Sequence, residues 1–196
     1  MIDFILKITF VFLWASAFVA AKLGLDDAGP FSMLTVRFAI VSCIFASLVF
    51  IFRAKWPKWI EIPYIALVGI LLHGLYLGGV FFSIKQGTSA GISSLIVSLH
   101  PVLTCILAVF IIEEKITFDR WIGIFMGFIG VILVVWPRMG GELPLIGFLS
   151  CFVALVAISF ATIIQKKYLE NMDILGGNSL QAIFAALFFL MLVLLI

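Results

Sequence analysis

Seven apolar stretches dominate this chain, each bounded by a short cluster of charge, proline or glycine. They cover roughly residues 4–24, 31–52, 63–84, 90–112, 120–136, 145–165 and 175–196. None alternates apolar and polar residues with the period of two that a barrel strand requires. Lipid cannot satisfy open backbone groups, so the stretches are read as helices. A helix needs ~20 mostly apolar residues to cross ~30 Å of hydrocarbon, and these lengths suit that task. The short connections make consecutive helices antiparallel neighbours.

Composition settles the class. Of 196 residues, 65% are hydrophobic and 11% charged, with a mean hydropathy of +1.33. A soluble domain carries about a quarter charged residues. The chain is therefore an all-α integral membrane protein, a multi-span helical bundle. The net charge of +2 says less than its distribution. Lys7, Arg53, Lys55, Lys58, Lys115, Arg120, Lys166 and Lys167 fall on one side of the predicted topology, and Lys22, Lys85 and Arg138 on the other. Cationic loops stay inside, which places the N-terminus in the cytoplasm; the expected location is the plasma (inner) membrane. Trp56, Trp59, Trp121 and Trp136 stand near span ends, where interfacial aromatics belong.

The N-terminal stretch is too long for a signal peptide and is read as a retained first helix. The last stretch, LQAIFAALFFLMLVLLI, stops without a polar tail, so a fragment or natural truncation of something longer is expected. Cys43, Cys105 and Cys151 lie in apolar runs without metal-type spacing and read as free packing thiols. No Walker motif or basic aromatic stripe is present, so neither a cofactor nor nucleic acid is expected.

Two stretches carry a family likeness. LWASAFVAAKLGL followed by PFSMLTVRF, within residues 13–38, resembles the first helix pair of the EamA-type drug/metabolite transporter superfamily. GTSAGISSLIVSLHPVLTCILAVFIIEEKITFDRWIGIFMGFIGVILVV, residues 87–135, resembles its third block, with a mid-helix proline, a Glu-Lys pair (Glu114 and Lys115) and a Gly-rich fifth span. The resemblance implies five-helix inverted repeats: a first unit over 1–137 and an incomplete second over 138–196, represented by two helices. An odd number of spans per unit inverts the second relative to the first. Lys22 and Arg37 are fifteen residues apart, as are Lys166 and Gln181 after the corresponding spans, a faint internal echo.

The polar residues inside the spans are the functional candidates, because intramembrane ionisable groups usually face protein or a wet cavity. At ~1.5 Å per residue, His73 and His100 both lie ~15 Å deep, and Arg37 ~10 Å deep. Pro101 cannot donate to the Val97 carbonyl, so the fourth span should break there. Ser94 and Ser98 share one stripe of that span; Ser93, His100 and Thr104 share another. The expected solute pathway comprises Trp14, Ser16, Lys22, Arg37, His73, Tyr76, Ser94, Ser98, His100 and Pro101. Gly74 and Gly78, and Gly123, Gly127 and Gly130, read as seams for close helix packing.

The expected activity is that of a secondary transporter, an exporter of small polar metabolites such as amino acids or related compounds, by alternating access. Arg37 and Lys22 would attract an anionic or zwitterionic substrate, and the histidines could carry a coupling proton. Self-association as a homodimer stays open. The alternatives are a non-transporting scaffold or inactive truncated paralogue, and an intramembrane histidine enzyme or metal protein. The last needs a third metal ligand beside His73 and His100, and the nearby candidates, Cys105 and Tyr76 with no carboxylate, are a poor set for a hydrolytic zinc site. No enzymatic activity and no metal are expected.

Overall fold

The computed structural model describes residues 2–25, 28–136 and 144–195. Among the described residues seven helices follow one another: α1 (Ile2–Gly24), α2 (Pro30–Ile51), α3 (Ile62–Lys85), α4 (Ala90–Ile111), α5 (Phe118–Val135), α6 (Leu145–Tyr168) and α7 (Ile174–Leu195). Six are long and apolar enough to cross a bilayer, and α5 carries a shorter apolar stretch, Trp121–Leu133. The chain is an integral, multi-pass, all-α membrane protein. Arg138 lies outside the described residues.

Two helices depart from regular geometry. α3 passes through a π-helical turn at Ile70–Leu75, which places His73 on a widened coil. α4 breaks at Ser98 and Leu99 and restarts with Pro101 in its first turn. Proline suits a helix start because its missing N–H has no helical partner there. The break expected from Pro101 is therefore present, two residues earlier than the ring itself.

The centre of the bundle is built by α3 and α6, the helices with most buried surface, with α2 and α7 paired along their length beside them. Lipid tails are as apolar as leucine, so helices associate here through close van der Waals packing. Glycines on α3 permit it. A methyl group on Gly69 would lie 2.8 Å from the Gln181 carbonyl oxygen of α7, and one on Gly74 2.8 Å from the Phe188 ring. Gly78 meets Phe189, while Gly79 turns towards the Ser150 carbonyl of α6.

The glycines of α5 behave otherwise. Nothing in the described chain lies within 4 Å of a methyl on Gly123 or Gly130, and Gly127 meets only the Val102 side chain at 3.7 Å. The expected seam of α5 finds no close partner among the described residues, because α5 packs only lightly, chiefly against α4.

Loops on each side of the bundle meet one another. The α2–α3 connection contacts the start of α7 through Lys55 and Asp173, and Glu114 after α4 pairs with Lys166 at 2.7 Å. At the opposite end Lys85 donates to the Leu25 carbonyl at 2.8 Å, fastening the end of α3 to the end of α1. The tryptophans at span ends, Trp56, Trp59, Trp121 and Trp136, are all exposed, as interfacial side chains should be.

Candidate functional site

A cavity of about 420 Å³ opens between α1, α2 and α3. Four of the residues expected on a solute path line it: Trp14 from α1, Arg37 from α2, and His73 and Tyr76 from α3. The rest of the wall is apolar, with Phe10, Phe18, Phe38 and Phe81 among the rings.

Each polar group is placed by a local feature. Arg37 sits seven residues after Pro30, which starts α2 in its first turn. It shares one helical face with Phe38 and Val41, and that face turns to the cavity. His73 belongs to the π turn of α3, and π turns often mark functional positions because they re-aim a side chain within a helix. The Phe38 ring holds the imidazole, centroid to centroid at 5.0 Å. Trp14 is set by its neighbour one turn back, Phe10, at 5.5 Å.

Among the described residues Arg37 is the sole cation on this wall. Among the described residues no carboxylate forms an ion pair with it; its guanidinium lies 5.9 Å from the Phe38 ring centroid. Arg37 is exposed, so beside the one ring it gains some cation–π attraction but keeps most of its donors free. Such a group suits a carboxylate or other anionic oxygen, which it can bind through two parallel N–H bonds.

The remaining expected residues lie elsewhere. Ser16 is exposed and donates to the Leu13 carbonyl one turn back, and Lys22 is exposed near the end of α1. Ser94 and Ser98 donate to the Gly91 and Leu95 carbonyls of their own helix, so they are satisfied without a ligand. His100 and Pro101 do not reach the α1–α3 cavity either. The break in α4 borders a separate, apolar cavity of about 490 Å³, lined by Leu99 and Val102 with Phe128 and Phe152.

The stripe of Ser93, His100 and Thr104 faces inward instead. Each carries a buried polar atom without a hydrogen-bond partner among the described residues: Ser93 Oγ, His100 Nδ1 and Thr104 Oγ1. Ser159 of α6 approaches the same seam, its hydroxyl 3.4 Å from the His100 carbonyl oxygen. This seam and the cavity are two polar regions, where the sequence suggested one.

Gln181 of α7 was not among the expected pathway residues, yet it is buried at 1% exposure with its backbone against Gly69 of α3, one turn before His73. The only trace of it in the sequence is the fifteen-residue spacing it shares with Arg37. Among the described residues no group of three or more metal-ligating side chains comes together.

Residues 2–136 match the EamA-like transporter family. An "Uncharacterized transporter" of Archaeoglobus fulgidus is 30% identical over 168 residues, covering 85% of this chain and 58% of that protein. A "Probable amino-acid metabolite efflux pump" of Salmonella typhimurium is 26% identical over 170 residues, covering 86% and 55%. Its namesake in Escherichia coli is 25% identical, with the same coverage. The chain thus spans a little over half the length of these relatives. No solved structure matches it significantly.

Proposed function

This chain belongs to the EamA-like transporter family, and on that premise we propose that it takes part in the export of small polar metabolites, amino acids or related compounds, as a secondary transporter. Solute enters the cavity between α1, α2 and α3 and is held there by Arg37. Alternating access exposes that cavity to the two sides in turn, with 1–137 as one five-helix unit and 138–196 contributing the first two helices of an inverted second. The cationic loops hold the N-terminus in the cytoplasm, in the plasma (inner) membrane.

One observation carries this reading. Arg37 projects into a membrane-depth cavity with no carboxylate among the described residues paired to it. An intramembrane cation without a protein partner is costly, and a passing anionic group relieves that cost. The names of the relatives support the direction and the solute class, since two of them are described as efflux pumps for amino-acid metabolites. His73 lines the same cavity as Arg37 and supplies an imidazole for a coupling proton.

Proteoliposomes preloaded with labelled amino acids, and separately with amines lacking the carboxylate, test this. Efflux of the carboxylate-bearing solutes, abolished in Arg37→Gln, is the expected result. Absence of efflux for every solute, or efflux undiminished in Arg37→Gln, would overturn it.

A further inference from the structure

The connection between α2 and α3, residues 52–61, combines exposed cations with exposed apolar side chains. Arg53, Lys55 and Lys58 are open to the surroundings, and so are Phe52, Trp56, Trp59 and Ile60. Trp59 keeps 89% of its surface and Ile60 77%. Both stand within three residues of the start of α3, a membrane-spanning helix, so they lie at the edge of the hydrocarbon. A tryptophan this open gains nothing from water, but its amphipathic ring suits the headgroup layer of a bilayer.

The backbone fixes this arrangement. α2 ends in a Schellman turn: the Ala54 N–H donates to the Val49 carbonyl at 3.0 Å, and the Arg53 N–H to the Phe50 carbonyl at 3.4 Å. Arg53 takes the left-handed position of that turn, φ +50°, where glycine is the usual residue. The loop then crosses the start of α7. A methyl on Gly176 would run into the Lys55 carbonyl oxygen and lie 3.1 Å from Pro57. The Lys55 N–H donates to the Asp173 carboxylate at 3.4 Å, and the Lys58 N–H to that of Glu61 at 2.7 Å. Both carboxylates thus serve backbone donors. Among the described residues none of Arg53, Lys55 and Lys58 forms an ion pair.

We propose that the α2–α3 connection is a binding surface for anionic phospholipid in the leaflet it touches. Trp59 and Ile60 enter the boundary between headgroups and acyl chains, and the three cations hold the negative headgroup beside them. Three cations within six residues give the local excess of positive charge that draws anionic lipid. The loop is already seated on α7, so little ordering is lost when lipid binds. Phosphatidylcholine carries its own ammonium beside the phosphate, which offsets the attraction. None of these loop residues lines the cavity between α1, α2 and α3, and the inference stands apart from the transport reading.

Replacing Trp14, Trp56, Trp121 and Trp136 by phenylalanine leaves Trp59 as the sole tryptophan of the full chain. The protein is placed in nanodiscs of phosphatidylcholine and phosphatidylglycerol in equal amounts, with the acyl chains of one or the other brominated. Brominated phosphatidylglycerol should quench Trp59 fluorescence more strongly, with a preference of roughly fivefold for each cation engaged. Salt should weaken that preference. The combined Arg53→Asn, Lys55→Gln and Lys58→Gln substitutions should remove it while both lipids still quench; asparagine is chosen because it tolerates the left-handed position. Equal quenching by the two lipids in the parent, a preference that survives the triple substitution, or no quenching by either lipid would overturn the proposal. Should the phenylalanine background not fold, native mass spectrometry of the chain with its tryptophans intact, extracted from the same mixed bilayer, decides. Phosphatidylglycerol should be retained in preference, and less so in the triple variant; equal retention, or an unchanged ratio in that variant, would overturn it.

Discussion

The imidazole of His73 and the ring of Phe38 lie 5.0 Å apart, inclined by 44°, and this contact joins the π turn of α3 to the middle of α2. Phe38 also stacks on Phe189 of α7 at 6.0 Å. One side chain thus ties three helices together immediately behind the cavity wall. Phe38→Ala should cost about 3 kcal/mol, because both ring contacts and the buried volume are lost. Chemical unfolding in mixed micelles measures it; a loss below about 1 kcal/mol would mean that the three helices are held by other contacts.

Arg37 provides a contrasting prediction. If it serves a solute and not the fold, Arg37→Leu should leave the melting temperature unchanged or raise it, since an unpaired charge leaves a low-dielectric wall. Solute binding, followed by calorimetry or thermal shift, should fall about 10-fold to 100-fold with the loss of charge-assisted hydrogen bonds. A strongly destabilised Arg37→Leu protein would assign the residue to structure.

The glycines divide into two groups that a single substitution can tell apart. Gly69→Ala forces a methyl to 2.8 Å from the Gln181 carbonyl oxygen, so α3 and α7 must separate. A loss of about 1–3 kcal/mol is expected from such overpacking. Gly123→Ala meets nothing within 4 Å and should be neutral or mildly stabilising. Equal effects at the two positions would refute the packing assigned to α3.

Asp173 sets a pH dependence outside the membrane. The backbone N–H of Gly176, with those of Leu175 and Lys55, donates to its carboxylate and holds its pKa below the ordinary aspartate value. A carboxylate with a depressed folded-state pKa contributes stability above its unfolded pKa and loses it as pH falls through the folded one. Asp173→Ala should therefore melt earlier than wild type at neutral pH, and the two should converge under acid. A gap that stays constant down to acid pH would mean that the carboxylate charge contributes nothing at this cap.

Much of the architecture could be read directly from hydropathy. The seven apolar stretches lie within a few residues of the seven helices, and Pro101 announced the broken α4. The pairing of α2 with α7 could not be read that way. In a soluble helix the buried face is the apolar one; in lipid both faces are apolar, so periodicity does not tell Leu34, which is buried, from Val36, which is exposed. The π turn at Ile70–Leu75 left no mark that local propensity records. Gln181 was overlooked because a single amide in an apolar run has no motif; its burial between α3 and α7 is what distinguishes it. The serines of α4 could not be sorted from sequence, since hydroxyls that donate to their own helix look the same there as those that do not.

The central claim is that water and solute reach the cavity between α1, α2 and α3. Ile40 and Val41 are consecutive on α2 and thus at nearly equal depth, but Val41 lines the cavity and Ile40 is exposed on the outward face. In a background with Cys43, Cys105 and Cys151 replaced by alanine, a charged, membrane-impermeant thiosulfonate should modify Val41→Cys and leave Ile40→Cys untouched. If Val41→Cys is as inert as Ile40→Cys, the cavity is dry and the transport account falls with it.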